Sequence, residues 1–315
     1  MMKLKKPKFW DYPKPNLLSD ILFPLSKIIQ FISNIKIKKI EKFLNIKCIC
    51  VGNIYLGGTG KTTLAIELNK ILQSENIKSC FIKKNYSNQA DEIALLEKSG
   101  KTFINTNRIK ALKSAISENY EVAIFDDGLQ DKSILYDLSL VCFNQKNLVG
   151  NNRLIPAGPL RESLDIIKKN KNIFIIGNNE NNTSFKNQLL KNSNNLNFFD
   201  CIYEPSNLKS FDLNINYIVF SGIGNHGTFV NMLKKHKFNV IEDIEFPDHY
   251  NYSFLDINKI HQAANKYNAK ILTTKKDFLR INNSFQKDIQ YINVRLKILQ
   301  IEELKKKLKF INENN

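Results

Sequence analysis

One segment limits what this chain can fold into more than any other: Tyr55-Leu56-Gly57-Gly58-Thr59-Gly60-Lys61-Thr62. Glycines this dense do not belong inside a strand or a helix, so they mark a break between two elements. Ahead of them, Ile46-Lys47-Cys48-Ile49-Cys50-Val51 reads as a buried strand. Behind them, residues 63–73 read as a helix. A glycine turn between strand and helix wraps an anion with inward-pointing N–H groups, and the helix dipole adds to the pull. The last three residues match the phosphate-loop pattern G-x-x-x-x-G-K-[ST], whereas Tyr55 stands where that pattern opens on glycine. In this reading Tyr55, Leu56, Gly57, Gly58, Thr59 and Gly60 cradle the phosphates of ATP. Lys61 bridges the β- and γ-phosphates, and Thr62 offers its hydroxyl to Mg2+.

A second apolar run, Val122-Ala123-Ile124-Phe125, is a strand ending in Asp126-Asp127. After a phosphate loop, an acid closing such a strand holds Mg2+ or a water bound to it. Without the loop, Asp-Asp-Gly is ordinary turn chemistry. Arg153-Leu154-Ile155-Pro156-Ala157-Gly158-Pro159-Leu160-Arg161-Glu162 is stiffened by two prolines. There Arg161 offers a fork suited to phosphate and Glu162 a metal-binding carboxylate. A surface loop with a local ion pair would look the same. In Phe246-Pro247-Asp248-His249-Tyr250 an imidazole follows a strand. A lone histidine is more often structural, so His249 gains weight only in company.

The 315 residues, 43% hydrophobic, suffice for one large α/β unit or two lobes. Apolar runs at 77–82, 138–143 and 173–176 alternate with helical patterns such as 107–117, which implies a parallel sheet covered on both faces. Residues 177–196 are rich in Asn and poor in apolar side chains, and read as a surface insertion. The alternation restarts at 217–221 and closes with a helix near 301–311. The expected architecture is α/β: a P-loop NTPase-like parallel-sheet domain that binds ATP over 46–212, a smaller α/β lobe over 213–315, and an N-terminal amphipathic helical segment over 1–45, expected at a membrane surface.

Within that first segment, residues 17–32 are interrupted by Asp20, Pro24 and Lys27 and fall short of the ~20 apolar residues that cross a bilayer. No small-residue cleavage site follows, so a cleavable signal is not expected. Leu18, Leu22, Leu25, Ile29 and Ile32 form one helical stripe opposite Lys27, Gln30 and Asn34. Trp10 and Tyr12 precede it, and Lys36-Ile37-Lys38-Lys39 follow, a make-up that suits a membrane interface. It also suits an amphipathic helix packed on its own domain, and the stripe alone favours packing. The net charge of +17 selects anionic partners, or reflects a chain rich in Lys, Asn and Ile throughout. No basic stripe interleaved with aromatics is found, so nucleic acid is not expected. Cys48, Cys50, Cys80, Cys142 and Cys201 lack zinc-site spacing and read as reduced core residues of a cytosolic protein.

These segments, in this order, resemble the tetraacyldisaccharide 4'-kinase family of lipid A biosynthesis over nearly the whole chain. The resemblance includes Phe9-Trp10, Pro24-Leu25-Ser26, Val51-Gly52-Asn53, Asp126-Asp127-Gly128-Leu129-Gln130, Ser221-Gly222-Ile223-Gly224-Asn225 and Leu272-Thr273-Thr274-Lys275-Lys276-Asp277. It implies a kinase at the cytoplasmic face of the inner membrane, peripheral or monotopic. The implied reaction moves the γ-phosphate of ATP to the 4'-hydroxyl of a tetraacyldisaccharide 1-phosphate, an anionic glycolipid, at a site between two α/β lobes. The family's catalytic acid falls on Asp91, with Glu92 beside it, and its helper histidine on His249. An alcohol does not ionise at neutral pH, so a carboxylate oriented by an imidazole takes the proton as the bond to phosphorus forms. The chain departs from the family at Lys84-Asn85-Tyr86-Ser87, where Arg-Gly-Tyr-Gly is usual, and in a short stretch up to Asp91. Asp131 replaces a common His, Lys275 a Glu, and His226 a Pro. The alternative is a membrane-associated P-loop switch or partitioning-type ATPase, which leaves the 153–162 and 246–250 segments without a use.

Overall fold

The computed structural model of the chain describes residues 6–35, 40–86, 89–177 and 181–311. Apolar strands alternating with helices bury both faces when the strands lie parallel and the helices cover them. The chain does this twice. The larger sheet takes β1 (Lys47–Gly52), β2 (Ser79–Lys84), β3 (Thr102–Asn105), β4 (Val122–Asp126), β5 (Leu138–Asn144), β6 (Asn172–Gly177) and β7 (Asn197–Pro205). Their order is β7-β6-β5-β1-β4-β2-β3, and every pair is parallel. Helices α1 (Leu17–Ile35), α2 (Lys61–Ser74), α3 (Ala90–Glu97), α4 (Arg108–Ser117) and α5 (Thr183–Asn192) belong to this part. Strand alternation decides which side chain meets which helix. Ile49 and Val51 join Leu64 and Leu68 of α2, whereas Cys48 joins Ala111 and Leu112 of α4 on the opposite face. All five cysteines are buried free thiols.

The smaller sheet contains β8 (Asn216–Ser221), β9 (Asn239–Glu245), β10 (Ala269–Thr274) and β11 (Ile289–Ile292), in the parallel order β11-β10-β8-β9. Helices α6 (His226–Lys235), α7 (Phe254–Lys266) and α8 (Lys275–Phe278) alternate with its strands. The expected lobe of 213–315 does not keep its last residues. β12 (Val294–Ile298) returns to the large sheet, antiparallel to β7, and α9 (Ile301–Leu308) packs Leu304 and Leu308 into the large core. Asn293 alone separates β11 from β12. Its N–H donates to Asn207 Oδ1 at 2.8 Å, and its carbonyl accepts from Ser206 N–H at 2.8 Å. The two crossings between the sheets therefore run side by side.

Two further expectations are corrected. Much of the 177–196 stretch is the helix α5, which buries Phe185 and Leu189 against the large sheet. Burial of two such side chains stabilises by roughly 1.5–3 kcal/mol each, enough to seat a short polar helix. The N-terminal helix is not held by its apolar stripe. Leu18, Leu25, Ile29 and Ile32 are exposed by 45–55%, while Ser19 and Ser26 are fully buried. Ser19 Oγ donates to Ala157 O at 2.7 Å, and Ser26 Oγ donates to Leu154 O at 2.9 Å and accepts from Ala157 N–H at 3.1 Å. The helix is amphipathic with its polar side inward. Trp10 is buried too, with Nε1 donating to Pro156 O at 3.0 Å; it anchors the 153–162 loop, and Tyr12 is the exposed aromatic. Lys3, Lys5 and Lys36 to Lys39 lie outside the described residues.

Candidate active site

In the large sheet β1 lies between β4 and β5, so the strand order reverses there and leaves a crevice at the carboxyl ends. The glycine loop leaves β1 at this point. Gly60 caps α2 in a left-handed conformation (φ 82°) and has no side chain to compete for the first helical N–H groups. Thr59 Oγ1 is buried without a partner. Lys61 Nζ stands 3.8 Å from Asp127. The 153–162 loop is strapped alongside: Leu56 N–H donates to Pro159 O at 2.8 Å, and Arg161 N–H donates to Ile54 O at 2.6 Å. The Tyr55 side chain leaves the cradle. Its hydroxyl bonds to Asp11 and accepts from Lys6 at 2.9 Å, which ties the phosphate loop to the N-terminal segment.

The two adjacent acids diverge. Asp126 closes β4 and is fully buried; its Oδ2 accepts from Thr62 Oγ1 at 3.0 Å, and its Oδ1 has no partner. Asp127 turns away in a left-handed conformation (φ 58°) and pairs with Arg161 at 2.7 Å. Burial disfavours its charge, but Lys61 and Arg161 outweigh that and hold its carboxyl well below the usual range. Arg161 also donates to Asn53 O at 3.0 Å. In this arrangement the guanidinium expected on phosphate is engaged by Asp127 and Asn53. Glu162 makes no polar contact with Thr62, Asp126 or Asp127 among the described residues, and burial pushes its carboxyl up. Arg108 braces the turn, donating to Asp127 O at 2.7 Å and pairing with Asp131 at 3.2 Å. That pairing gives Asp131 a structural use where the resemblance led one to look for histidine.

Across the crevice, α3 carries Asp91 and Glu92 in its first turn. Arg280 NH2 donates to Asp91 Oδ2 at 2.6 Å, Lys276 Nζ is 3.3 Å from it, and His249 Nδ1 is 3.4 Å from Oδ1. Burial opposes the charge of Asp91, but the contacts with His249, Lys276 and Arg280 outweigh it and hold the carboxyl far below its ordinary range. All three of these partners come from the smaller lobe. Arg280 is itself fixed, donating to Gly222 O at 2.6 Å and to the buried Asp277 at 3.0 Å. His249 adopts a left-handed backbone (φ 57°), and its N–H donates to Gly222 O at 3.1 Å. The lobes touch at glycine: a Cβ on Gly224 would lie 2.5 Å from Gly58 N. Asn144 reinforces the contact, donating to Gly58 O at 3.4 Å and accepting from Asn225 Nδ2 at 3.1 Å.

The phosphate cradle and Asp91 thus both belong to the large lobe, and the carboxylate is braced from the smaller one. Residues 18–312 match the family described as tetraacyldisaccharide-1-P 4'-kinase. The chain belongs to this family. A tetraacyldisaccharide 4'-kinase of Pelagibacter ubique is 51% identical over the full length of both chains. One of Rickettsia bellii is 35% identical, covering 90% of this chain and 92% of its own. LpxK of Aquifex aeolicus, solved in complex with ATP, superposes with a TM-score of 0.68 at 26% identity, over 94% of this chain and 99% of that one. Kinase relatives over the full length set aside the switch-ATPase reading. The catalytic and cation-binding side chains named from the sequence converge on the crevice, except Glu162 and the Tyr55 ring. Lys83, Lys276 and Arg280 were not singled out, yet they supply the positive charge around Asp126, Asp91 and Glu92. For Lys83 a signal existed: it is a lysine directly following the apolar run Cys80-Phe81-Ile82.

Proposed function

We propose that this chain phosphorylates the 4'-hydroxyl of a tetraacyldisaccharide 1-phosphate at a membrane surface, with MgATP on the glycine loop and Asp91 as base. The carrying observation is Asp91 held ionised by His249, Lys276 and Arg280 opposite the cradle. Thr62 and the unpartnered oxygen of Asp126 fit a divalent cation, whose charge would offset that gathering on the phosphates. Thr62 and Asp126 would hold such a cation together with nucleotide oxygens and water. Lys61 holds the β- and γ-phosphates, and Arg161 exchanges Asp127 for phosphate when ATP arrives.

Asp91 is always in the correct protonation state but is weakly basic. It first orients the acceptor hydroxyl as a hydrogen-bond acceptor. In a loose transition state the new O–P bond forms late, and only then is the hydroxyl acidic enough to give its proton to Asp91. His249 and Arg280 fix the carboxylate rather than compete for that proton.

The outward apolar side of α1, the net charge of +17 and an anionic lipid substrate fit a peripheral or monotopic enzyme at the cytoplasmic face of the inner membrane, where ATP is found. No described helix is long and apolar enough to cross a membrane. The test is purified full-length protein with MgATP and disaccharide 1-phosphate lipid in anionic vesicles. The expected product is the bisphosphorylated lipid. Asp91→Asn is expected to cut turnover by about 10²–10⁴-fold while ATP affinity persists. ATP hydrolysis without lipid phosphorylation, or an unchanged Asp91→Asn, refutes the proposal.

A further inference from the structure

Lys83 closes the apolar core of β2 and has nowhere apolar to go. It is 1% exposed, and its register partner on β4 is Asp126. Its Nζ lies 2.7 Å from Asp126 Oδ2 and 2.7 Å from Glu92 Oε2. The ammonium is therefore bridged between two carboxylates at salt-bridge distance. Each anion leads to a different half of the site. Asp126 accepts from Thr62, the residue that follows the phosphate-loop lysine. Glu92 neighbours Asp91 in the first turn of α3, and both share Lys276, at 3.4 Å and 3.3 Å. A polar path from the cradle to α3 runs Thr62, Asp126, Lys83, Glu92. Helix α3 has no side-chain cap, and residues 87–88 ahead of it lie outside the described residues.

We propose that Lys83 is a positioning residue: its buried ammonium joins Asp126 to Glu92 and so sets the distance between the phosphate donor and Asp91. It touches neither substrate. It acts by holding the first turn of α3 against the end of β4. The inference rests on the reading of Asp91 as the acceptor-side base.

The test uses the full chain, MgATP and the same lipid vesicles. Lys83→Ala leaves a cavity lined by two carboxylates, and Lys83→Met fills the same space without charge. Both are expected to lower kcat by about 100-fold, the usual scale for a reacting group displaced by an ångström. ATP affinity, measured by calorimetry, should stay within about threefold, because the cradle itself is untouched. Added methylammonium should restore at least tenfold of kcat in Lys83→Ala and nothing in Lys83→Met. A fold defect would lower ATP affinity together with kcat, whereas loss of positioning lowers kcat alone.

Removing the cation strands two buried carboxylates, which can unfold the chain. Lys83→Met/Glu92→Gln relieves that repulsion and is expected to fold and remain slow. Full turnover in any of these variants overturns the proposal, as does ATP affinity falling in step with kcat without amine rescue. If Asp91→Asn also turns over normally, the reading of the site fails first. If Asp91→Asn is inactive and the Lys83 variants are not, this inference alone fails.

Discussion

Burial opposes the charge of Asp91, but its contacts with His249, Lys276 and Arg280 outweigh it, so the carboxyl remains ionised in the neutral range. A carboxyl whose pKa lies below its ordinary value near 4 contributes no acid limb to the rate at moderate pH. Arg280→Gln removes one of the groups that stabilise the charged form, so the pKa of Asp91 rises toward the ordinary range. An acid limb should then enter the kcat profile from below and move upward in pH relative to wild type. Identical profiles would show that Lys276 and His249 suffice. Legibility at this scale follows chain distance. The glycine loop, Asp126 and Asp127 announce themselves because neighbours in sequence do the work. Asp91 was reached only through the resemblance, and His249, noticed in its Pro-Asp-His loop, took its role from there. Lys83 and Arg280 were missed because their meaning comes from partners on other strands or the other lobe. Arg161 was read as a phosphate ligand, and it is paired with Asp127.

Helix α1 shows what periodicity can and cannot say. A 3.6-residue pattern located the helix, but the inference the stripe favoured when taken alone, that the apolar side packs inward, is the reverse of the arrangement found. The reason is chemical: the 153–162 loop presents the carbonyls of Leu154 and Ala157 and the N–H of Ala157, and only hydroxyls answer them. Two interventions on this element should separate cleanly. Leu25→Ser/Ile29→Ser/Ile32→Ser should leave the urea midpoint unchanged, since these side chains face outward. Vesicle binding should weaken by well over tenfold, because each apolar side chain buried in lipid is worth about 1.5 kcal/mol or more. Ser26→Leu should do the opposite, costing about 1–3 kcal/mol of stability by overpacking and broken hydrogen bonds. A fall in stability for the triple variant would mean the stripe is packed after all. Helix α5 was hidden for the converse reason, since its two buried side chains, Phe185 and Leu189, are too few to show a period among asparagines.

Across the whole molecule, the two lobes meet backbone to backbone at Gly58 and Gly224. Gly224→Ala puts a methyl group into that contact. The overpacking, about 1–3 kcal/mol, falls on the closed arrangement alone if the lobes can part. Roughly ten- to hundredfold in kcat should be lost at about 1.4 kcal/mol per decade, with little change in melting temperature. A large drop in melting temperature with kcat intact would refute this. The division into two α/β lobes was legible because the strand-helix alternation restarts. The return of β12 was not, since five residues with alternating exposure resemble the edge of either sheet. That return has a mechanical consequence. A lobe on a single leash could swing, twist and slide in any direction. Here the chain passes between the sheets twice, and Asn293 is bonded to Ser206 and Asn207 where the passages run abreast. Two passages held abreast restrain twist and slide of one lobe on the other more than a single passage would. For the same reason the large lobe cannot be excised as a continuous stretch of sequence: ending it at residue 212 would leave β7 without its edge partner.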